Sequence, residues 1–301
     1  LHSTSRRQRQ MCIRDSTRMG EYTYACSDFK FKKGLVSATK TSGHTLQIAD
    51  GLWLDKKFKA AMMKSIAQSE LDRKRFVYSD IGFILLQQVV EAVTGKTLDV
   101  YLVSEFYRPM GLEHTLFQPL NRYKKADIMP TAANDYLRRQ DLCGYVHDEA
   151  AAFMGGVSGN AGLFSTAQEL GKIYQMILNE GELDGKRYLR PETCRIFTTE
   201  KSAVSHRGLG YDKPNLKDPK ANACASSAPA SVYGHTGFTG TCAWVDPEND
   251  LVYIFLSNRL CPDAWNGKLN SMKIRQAVQE VIYQSLYLSL IHISEPTRLA
   301  L

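Results

Sequence analysis

Residues 81–93, IGFILLQQVVEAV, constrain the fold more than any other stretch of the chain. Phe83, Ile84, Leu85, Leu86, Val89, Val90 and Val93 wrap most of the circumference of a helix, which predicts that the helix is buried. Asp80 stands where an N-cap would, and Gly95 stands where a helix stops. A helix apolar on nearly all sides needs packing partners on all sides, so the chain must build a substantial core. With 301 residues, 44% of them hydrophobic, it has material for one large domain or two small ones. No stretch approaches the roughly 18 to 20 unbroken apolar residues of a membrane span. The composition is that of a globular protein and excludes collagen-like, mucin-like and wholly disordered chains.

The periodicity places further elements around this helix. Residues 20–33, GEYTYACSDFKFKK, alternate like a strand, and Lys30, Lys32 and Lys33 read as its solvated edge rather than a nucleic-acid patch. HTLQIADGLWL, residues 44–54, reads as a short strand. Phe58, Ala61, Met62 and Ile66 recur at helical spacing. Thr97 to Tyr107 predicts a second amphipathic helix with Leu98, Tyr101, Leu102 and Phe106 on it, ended by Pro109-Met110-Gly111. After a loop-rich stretch and a glycine-heavy turn, GGVSGNAGLFS, Thr166 caps a helix over 167–179. Residues 201–230 are polar and rich in Lys, Ala, Ser and Pro, the composition of a mobile loop. Thr239–Val245 and Leu251–Ser257 then form a hairpin around Pro247-Glu248-Asn249-Asp250, and Met272–Leu286 a closing helix. No repeat is visible.

Both ends read as foreign to this pattern. Residues 6–16, RRQRQMCIRDS, and 288–298, LSLIHISEPTR, can be back-translated as opposite strands of one DNA element. They look like translations of the transposon-end adapters used to fragment DNA for sequencing, so they are set aside as fusion scars are. On this expectation residues 1–16 and 288–301 are non-native, and residues 17–287 are an internal piece of a longer gene. Removing the ends leaves 33 basic and 29 acidic residues, a net +4 in place of +7, and six cysteines, Cys26, Cys143, Cys194, Cys224, Cys242 and Cys261. No two of the cysteines form C-x-x-C, so neither a zinc knuckle nor a disulfide framework is indicated.

Three features carry the chemistry. Tyr78-Ser79-Asp80 lies immediately before the apolar helix, the glycines of 155–162 precede another helix, and His235-Thr236-Gly237 opens a strand. In this order and spacing they resemble the serine beta-lactamase and penicillin-binding-protein superfamily, especially its class C-like and esterase-like branch. The resemblance covers about Arg75 to Leu286, and GYVHDEAAAFMGGVSGNAGLFSTAQEL, residues 144–170, looks like the pocket-wall segment of that branch. It implies an α/β (α+β) fold: an antiparallel sheet flanked by helices, plus a mostly helical subdomain bearing Tyr78. It also implies an acyl-serine intermediate on a D-amino-acid peptide, beta-lactam or ester. Tyr78 would be the base, its phenol made acidic by a nearby lysine ammonium. Asp80, in place of the usual asparagine, could accept a hydrogen bond from that lysine but could not donate to substrate. His235 stands where many relatives carry lysine, and a neutral imidazole binds a carboxylate more weakly than an ammonium. That tilts the expectation toward an esterase or D-amino-acid peptidase. Thr236 would hydrogen-bond the substrate, Gly237 would let its backbone lie along the strand edge, and a strand N–H would complete an oxyanion hole. The family places such enzymes in the cell envelope.

The nucleophile is the missing part. Ser37-Ala38-Thr39-Lys40 is the S-x-x-K upstream of Tyr78 with family-like composition, but it reads as a decoy. Ser42 and Gly43 break any helix after it, and it lies only 41 residues before Tyr78. Ser158 lacks the second glycine of G-x-S-x-G. The expectation is that the catalytic S-x-x-K helix lay upstream of Thr17 and that this chain is catalytically incomplete. Two alternatives stay open: Ser37 acting with Lys40, and a non-catalytic penicillin-binding-protein-like module of a larger envelope protein. His44, His114, His147, His206 and His235 show no metal-binding spacing, and no phosphate-binding loop is present. No cofactor, metal or nucleic acid is expected; a small-molecule or peptide substrate is.

Overall fold

The computed structural model describes residues 31–68, 78–203, 205–264 and 266–294, the side chains of Lys220 and of residues 288–294 excepted. The strand anticipated over 20–33 lies almost wholly outside the described residues. The chain divides into two units, Leu1–Glu169 with Asn258–Trp265, and Leu170–Ser257 with Asn266–Leu301.

The first unit opens on an antiparallel sheet in the order β1-β3-β2, made of β1 (Val36–Ser37), β2 (His44–Ala49) and β3 (Leu52–Asp55). The single strand expected over 44–54 is therefore two, because Asp50-Gly51 supplies a turn, with Gly51 at φ +58°. Helix α1 (Phe58–Gln68) buries Phe58, Met62 and Ile66, the face its spacing predicts. Helix α2 (Ile81–Thr94) is followed by α3 (Leu98–Leu102), which runs on as a π-helical turn over Val103–Tyr107. Short pairings follow: β4 (Leu116–Phe117), β5 (Pro130–Ala132) and β6 (Leu142–Cys143), then α4 (Glu149–Phe153) and β7 (Leu163–Phe164). β4 pairs with β7 and β5 with β6, both antiparallel. The core gathers Leu35, Ile48, Leu54, Phe58, Met62, Ile84 and Phe153. The Phe58 and Phe153 rings meet edge to face, centroids 4.9 Å apart.

Helix α2 corrects two expectations. It ends as read, at Gly95 in the left-handed region (φ +66°). Asp80, however, lies at φ −76°, ψ −19° with no capping bond from its side chain. The hydroxyl of Ser79 accepts from the Ile81 N–H instead, at 3.3 Å, and the Asp80 carbonyl accepts from Phe83 and Ile84. Nor is the helix buried all round. Ile84 and Gln87 are buried, whereas Leu85, Leu86, Val89 and Val93 are exposed, Val93 at 81%. The described unit packs one wall of the helix only. On that wall Gln87 donates to Glu91 (2.9 Å) and to the Val157 carbonyl (3.2 Å), and accepts from the Gly159 N–H (3.2 Å). A Cβ at Gly159 would overlap the Phe83 carbonyl. The glycine segment thus lies directly on the helix backbone.

The second unit begins within α5 (Ala167–Leu178), whose capping by Thr166 is as read: its hydroxyl accepts from the Glu169 N–H at 3.3 Å. The pair β8 (Glu182–Leu183) and β9 (Lys186–Arg187) leads to α6 (Pro191–Thr199). The sheet β10 (Tyr233–Thr236), β11 (Cys242–Asp246) and β12 (Leu251–Phe255) is an antiparallel meander with β11 in the centre, buried throughout. Asp246 closes the predicted hairpin by accepting from Glu248 N (2.9 Å) and Asn249 N (3.3 Å). Helix α7 (Lys268–Ser271) precedes α8 (Ile274–Ser294), which runs past Tyr287 and packs Ile282 on the sheet. Residues 201–230 are irregular, as their composition predicts, yet parts are built in. Asp212 exchanges both backbone hydrogen bonds with Gly234, and buried Lys213 donates to the Thr198 carbonyl and faces the Tyr233 ring. The mixed helix-and-sheet class stands, but the unit bearing Tyr78 carries its own sheet as well as helices.

The first unit also buries charge. Arg138 pairs in two places with Asp135 and donates to the carbonyls of Val146 and His147. Burial works against the Asp135 carboxylate, and the guanidinium more than offsets it, leaving its pKa below the ordinary value. Glu149 lies close by, takes a hydrogen bond from the Tyr136 hydroxyl, and is pushed up to about 7 by burial, with Asp148 adding to the effect. The native state therefore holds a proton on Glu149 between about pH 4.5 and 7 that the unfolded chain has released. Its contribution to stability is full below about 4.5 and is lost as the pH rises through 7. Urea denaturation across pH 4.5–8 should show that loss in the wild type and a flatter profile in Glu149→Gln.

Candidate active site

Each unit holds one part of the sequence-predicted site. In the first, Tyr78 and Asp80 are half-buried at the approach to α2. Ser37 and Lys40 are in the same unit, but not in the arrangement a nucleophile needs. Ser37 sits on β1 opposite Trp53, its hydroxyl accepting from the Thr39 N–H at 3.2 Å. Lys40 lies over the Trp53 ring, 5.5 Å from its centroid. A serine at the start of a buried helix, with its lysine one turn on, is not formed there. Ser158 is buried and donates to Asn160 at 2.6 Å. Asp148 caps α4 by accepting from Ala151 N (2.8 Å) and also holds the Asn160 amide (3.0 Å), a structural role. A further S-x-x-K that the sequence reading passed over, Ser27-Asp28-Phe29-Lys30, falls outside the described residues.

In the second unit the H-T-G triplet closes a strand rather than opening one: β10 ends at Thr236, and Gly237 begins the turn that follows. Gly234 pairs with Trp244 of β11 on one side and Asp212 on the other. A Cβ there would overlap the Ala243 carbonyl and the Trp244 ring, so only glycine lets the chains approach this closely. The next residue, His235, donates from Nδ1 to the Thr236 carbonyl at 2.8 Å. Its Nε2 faces Arg207 Nη1 at 2.9 Å. A guanidinium can only donate, so Nε2 must be the acceptor and the ring is neutral with its proton on Nδ1. Burial lowers the His235 pKa; the Thr236 carbonyl opposes that shift, and the Arg207 charge adds to it. Arg207 is itself held by Asp212, whose carboxylate lies 3.5 Å from Nη2 and 2.9 Å from His206 Nε2.

Sequence reasoning named His235, Thr236 and Gly237 and missed Arg207 and Asp212. Both lie in the stretch assigned by composition to a loop. The available signal was local: Gly208-Leu209-Gly210-Tyr211 alternates like a strand next to an arginine and an aspartate. The chemistry changes accordingly. The strand presents a neutral imidazole, but a permanent cation stands against it. Because the folded state disfavours imidazolium, His235 contributes stability present above its ordinary pKa and lost as the pH falls through its lowered one. Nitrogen-15 spectra should show the Nδ1–H tautomer persisting below pH 6.5. In Arg207→Met the ring should protonate at higher pH; an unchanged titration would refute the role given to Arg207.

Comparison with known proteins accords with the geometry. The family model Beta-lactamase matches residues 38–280, most of the chain. A protein of Escherichia coli K12 named "Putative D-alanyl-D-alanine carboxypeptidase" is 38% identical over 197 residues, 62% of this chain and 45% of its own length. An N-acetylmuramyl-L-alanine amidase of Bacillus subtilis is 36% identical over 197 residues, 62% of this chain and 44% of its own. The chain thus spans about half the length of these relatives. Among solved structures, EstCE1, a hydrolase with promiscuous acyltransferase activity, matches with TM-score 0.51 at 18% identity, covering 75% of this chain and 62% of its own; that likeness bears on the fold. The chain belongs to the beta-lactamase family, within the serine beta-lactamase and penicillin-binding-protein-like superfamily.

Proposed function

We propose that this chain carries the substrate-binding strand and the proton-accepting tyrosine of a serine hydrolase acting through an acyl-serine intermediate. Its substrate is a D-amino-acid peptide, beta-lactam or ester, with a free carboxylate preferred. The observation that supports this most is Arg207 against His235. A neutral imidazole alone is a poor partner for a carboxylate, whereas a guanidinium brings a permanent charge and planar donors. The names of the relatives, "Putative D-alanyl-D-alanine carboxypeptidase" and N-acetylmuramyl-L-alanine amidase, favour a peptide over a simple ester.

In this reading the serine oxygen bonds to the substrate carbonyl carbon while Tyr78 takes its proton. The C–N or C–O bond then breaks, the leaving group receives that proton, and water hydrolyses the acyl ester. Asp80 accepts from the lysine of the S-x-x-K pair. Thr236 and Gly237 hold the substrate backbone along the strand. The nucleophile comes from outside the described residues, since Ser37 lies on a strand and Lys40 is held against Trp53. Residues 1–16 and 288–301 are adapter-derived, and residues 17–287 are a native piece of the domain.

The placement of Ser37 also favours a second reading, a non-catalytic binding module of a larger envelope protein. Two measurements separate these. N-acetyl-D-Ala-D-Ala titrated into the chain should bind roughly ten-fold tighter than its C-terminal amide, a difference Arg207→Gln abolishes; equal affinity for acid and amide would sink the carboxylate preference. Reading outward from codons 80–160 in the source DNA should reach an in-frame S-x-x-K with an apolar helix. A frame without one supports the binding module.

A further inference from the structure

Arg275, near the start of α8, is a half-buried cation whose contacts serve no ion pair among the described residues. Its Nη1 donates to the carbonyls of Gly237 (3.3 Å) and Thr241 (2.9 Å), and its Nη2 to the side-chain oxygen of Asn270 (3.0 Å). Nε is buried without a hydrogen-bond partner. Gly237 and Thr241 are the two ends of the turn that terminates the H-T-G strand. The Gly237 N–H donates to the Thr241 carbonyl at 2.8 Å, Gly240 N–H returns to the Gly237 carbonyl at 3.1 Å, and Ser257 holds the Gly240 carbonyl at 2.9 Å.

A cation placed in this way spends desolvation to fix backbone, not to neutralise an acid. The consequence reaches the strand. The peptide joining Thr236 to Gly237 carries, at one end, the carbonyl that accepts from His235 Nδ1. At the other it carries the N–H bound to Thr241. If the turn loosens, that peptide can rotate and the Nδ1 bond loses its acceptor. We propose that Arg275 is a positioning residue for the candidate site, clamping the Gly237–Thr241 turn so that the Thr236–Gly237 peptide keeps its carbonyl on His235 Nδ1 and presents a fixed edge to substrate. The inference rests on the reading of the H-T-G strand as the substrate-binding strand.

The test compares the chain as it stands with Arg275→Met and Arg275→Lys. In Arg275→Met, amide exchange at Gly237 and Gly240 should quicken about ten-fold or more while β12 amides are unchanged. The Nδ1–H proton resonance of His235 should shift as its hydrogen bond to the Thr236 carbonyl weakens, while the proton stays on Nδ1 because Arg207 still faces Nε2. Arg275→Lys, which keeps one donor for Thr241, should fall between the two. Wild-type exchange and His235 shifts in Arg275→Met would overturn the proposal, and so would a uniform rise across β10–β12, which marks a merely structural role. If Arg275→Met does not fold, Arg275→Lys decides: faster exchange confined to the turn supports the clamp, and no change refutes it. Titration of the wild type with N-acetyl-D-Ala-D-Ala is read separately. Absence of binding there counts against the substrate reading and leaves the clamp to be judged on the turn alone.

Discussion

The second unit depends on the absence of a side chain at Gly234. Its backbone is flanked by Asp212 and by β11, with the Ala243 carbonyl and Trp244 ring filling the space a Cβ would take. A side chain at this position has no room on the β11 side. On its other side, Gly234 holds residues 206–212 through the bridge to Asp212. Asp212 is pinned there by two backbone hydrogen bonds, and its carboxylate then orients His206 and Arg207. Those residues then set the surroundings of His235, the next residue in the chain.

The first unit shows the same logic. Gly159 lies against the backbone of α2, and buried Gln87 uses its donor and acceptor to satisfy the loop that comes so close. A buried amide with unmet hydrogen bonds would cost more than the contact returns. Gln87 therefore goes with the close approach, and an apolar residue there would leave Val157 and Gly159 without that partner. Glycine loop and helix are held by one side chain that, in sequence, is merely a polar interruption of an apolar run.

This explains what was legible. Local rules worked where the decision is local: Thr166 as a cap, Gly95 as a stop, the spacing on α1, the hairpin of β11 and β12. The strand at Tyr233–Thr236 was legible in outline, though His235 and Thr236 close it where the sequence suggested they open one. What failed depended on distant partners. Asp80 does not cap, because its backbone is already helical where an N-cap residue is extended. Leu85, Leu86, Val89 and Val93 are apolar yet exposed, since periodicity reports which faces can be buried and not whether anything covers them. Arg207 was hidden because composition averages over a stretch, while its partner is 28 residues away in sequence.

On the H-T-G strand, hydrogen-bond donation and charge are divided between two residues. An ammonium on the strand would be both cation and hydrogen-bond donor. Here the donor and the charge sit on different residues: His235 spends its proton on the Thr236 carbonyl, and Arg207 carries the charge. Such a pair is internally consistent only while the imidazole is neutral, since imidazolium and guanidinium would repel at this distance. Acid therefore acts on the pair from within. Protonating Nε2 removes the acceptor for Arg207, and Asp212, already bound to His206 and Arg207, is the carboxylate toward which the displaced guanidinium can turn. The cation is then drawn toward the carboxylate that positioned it.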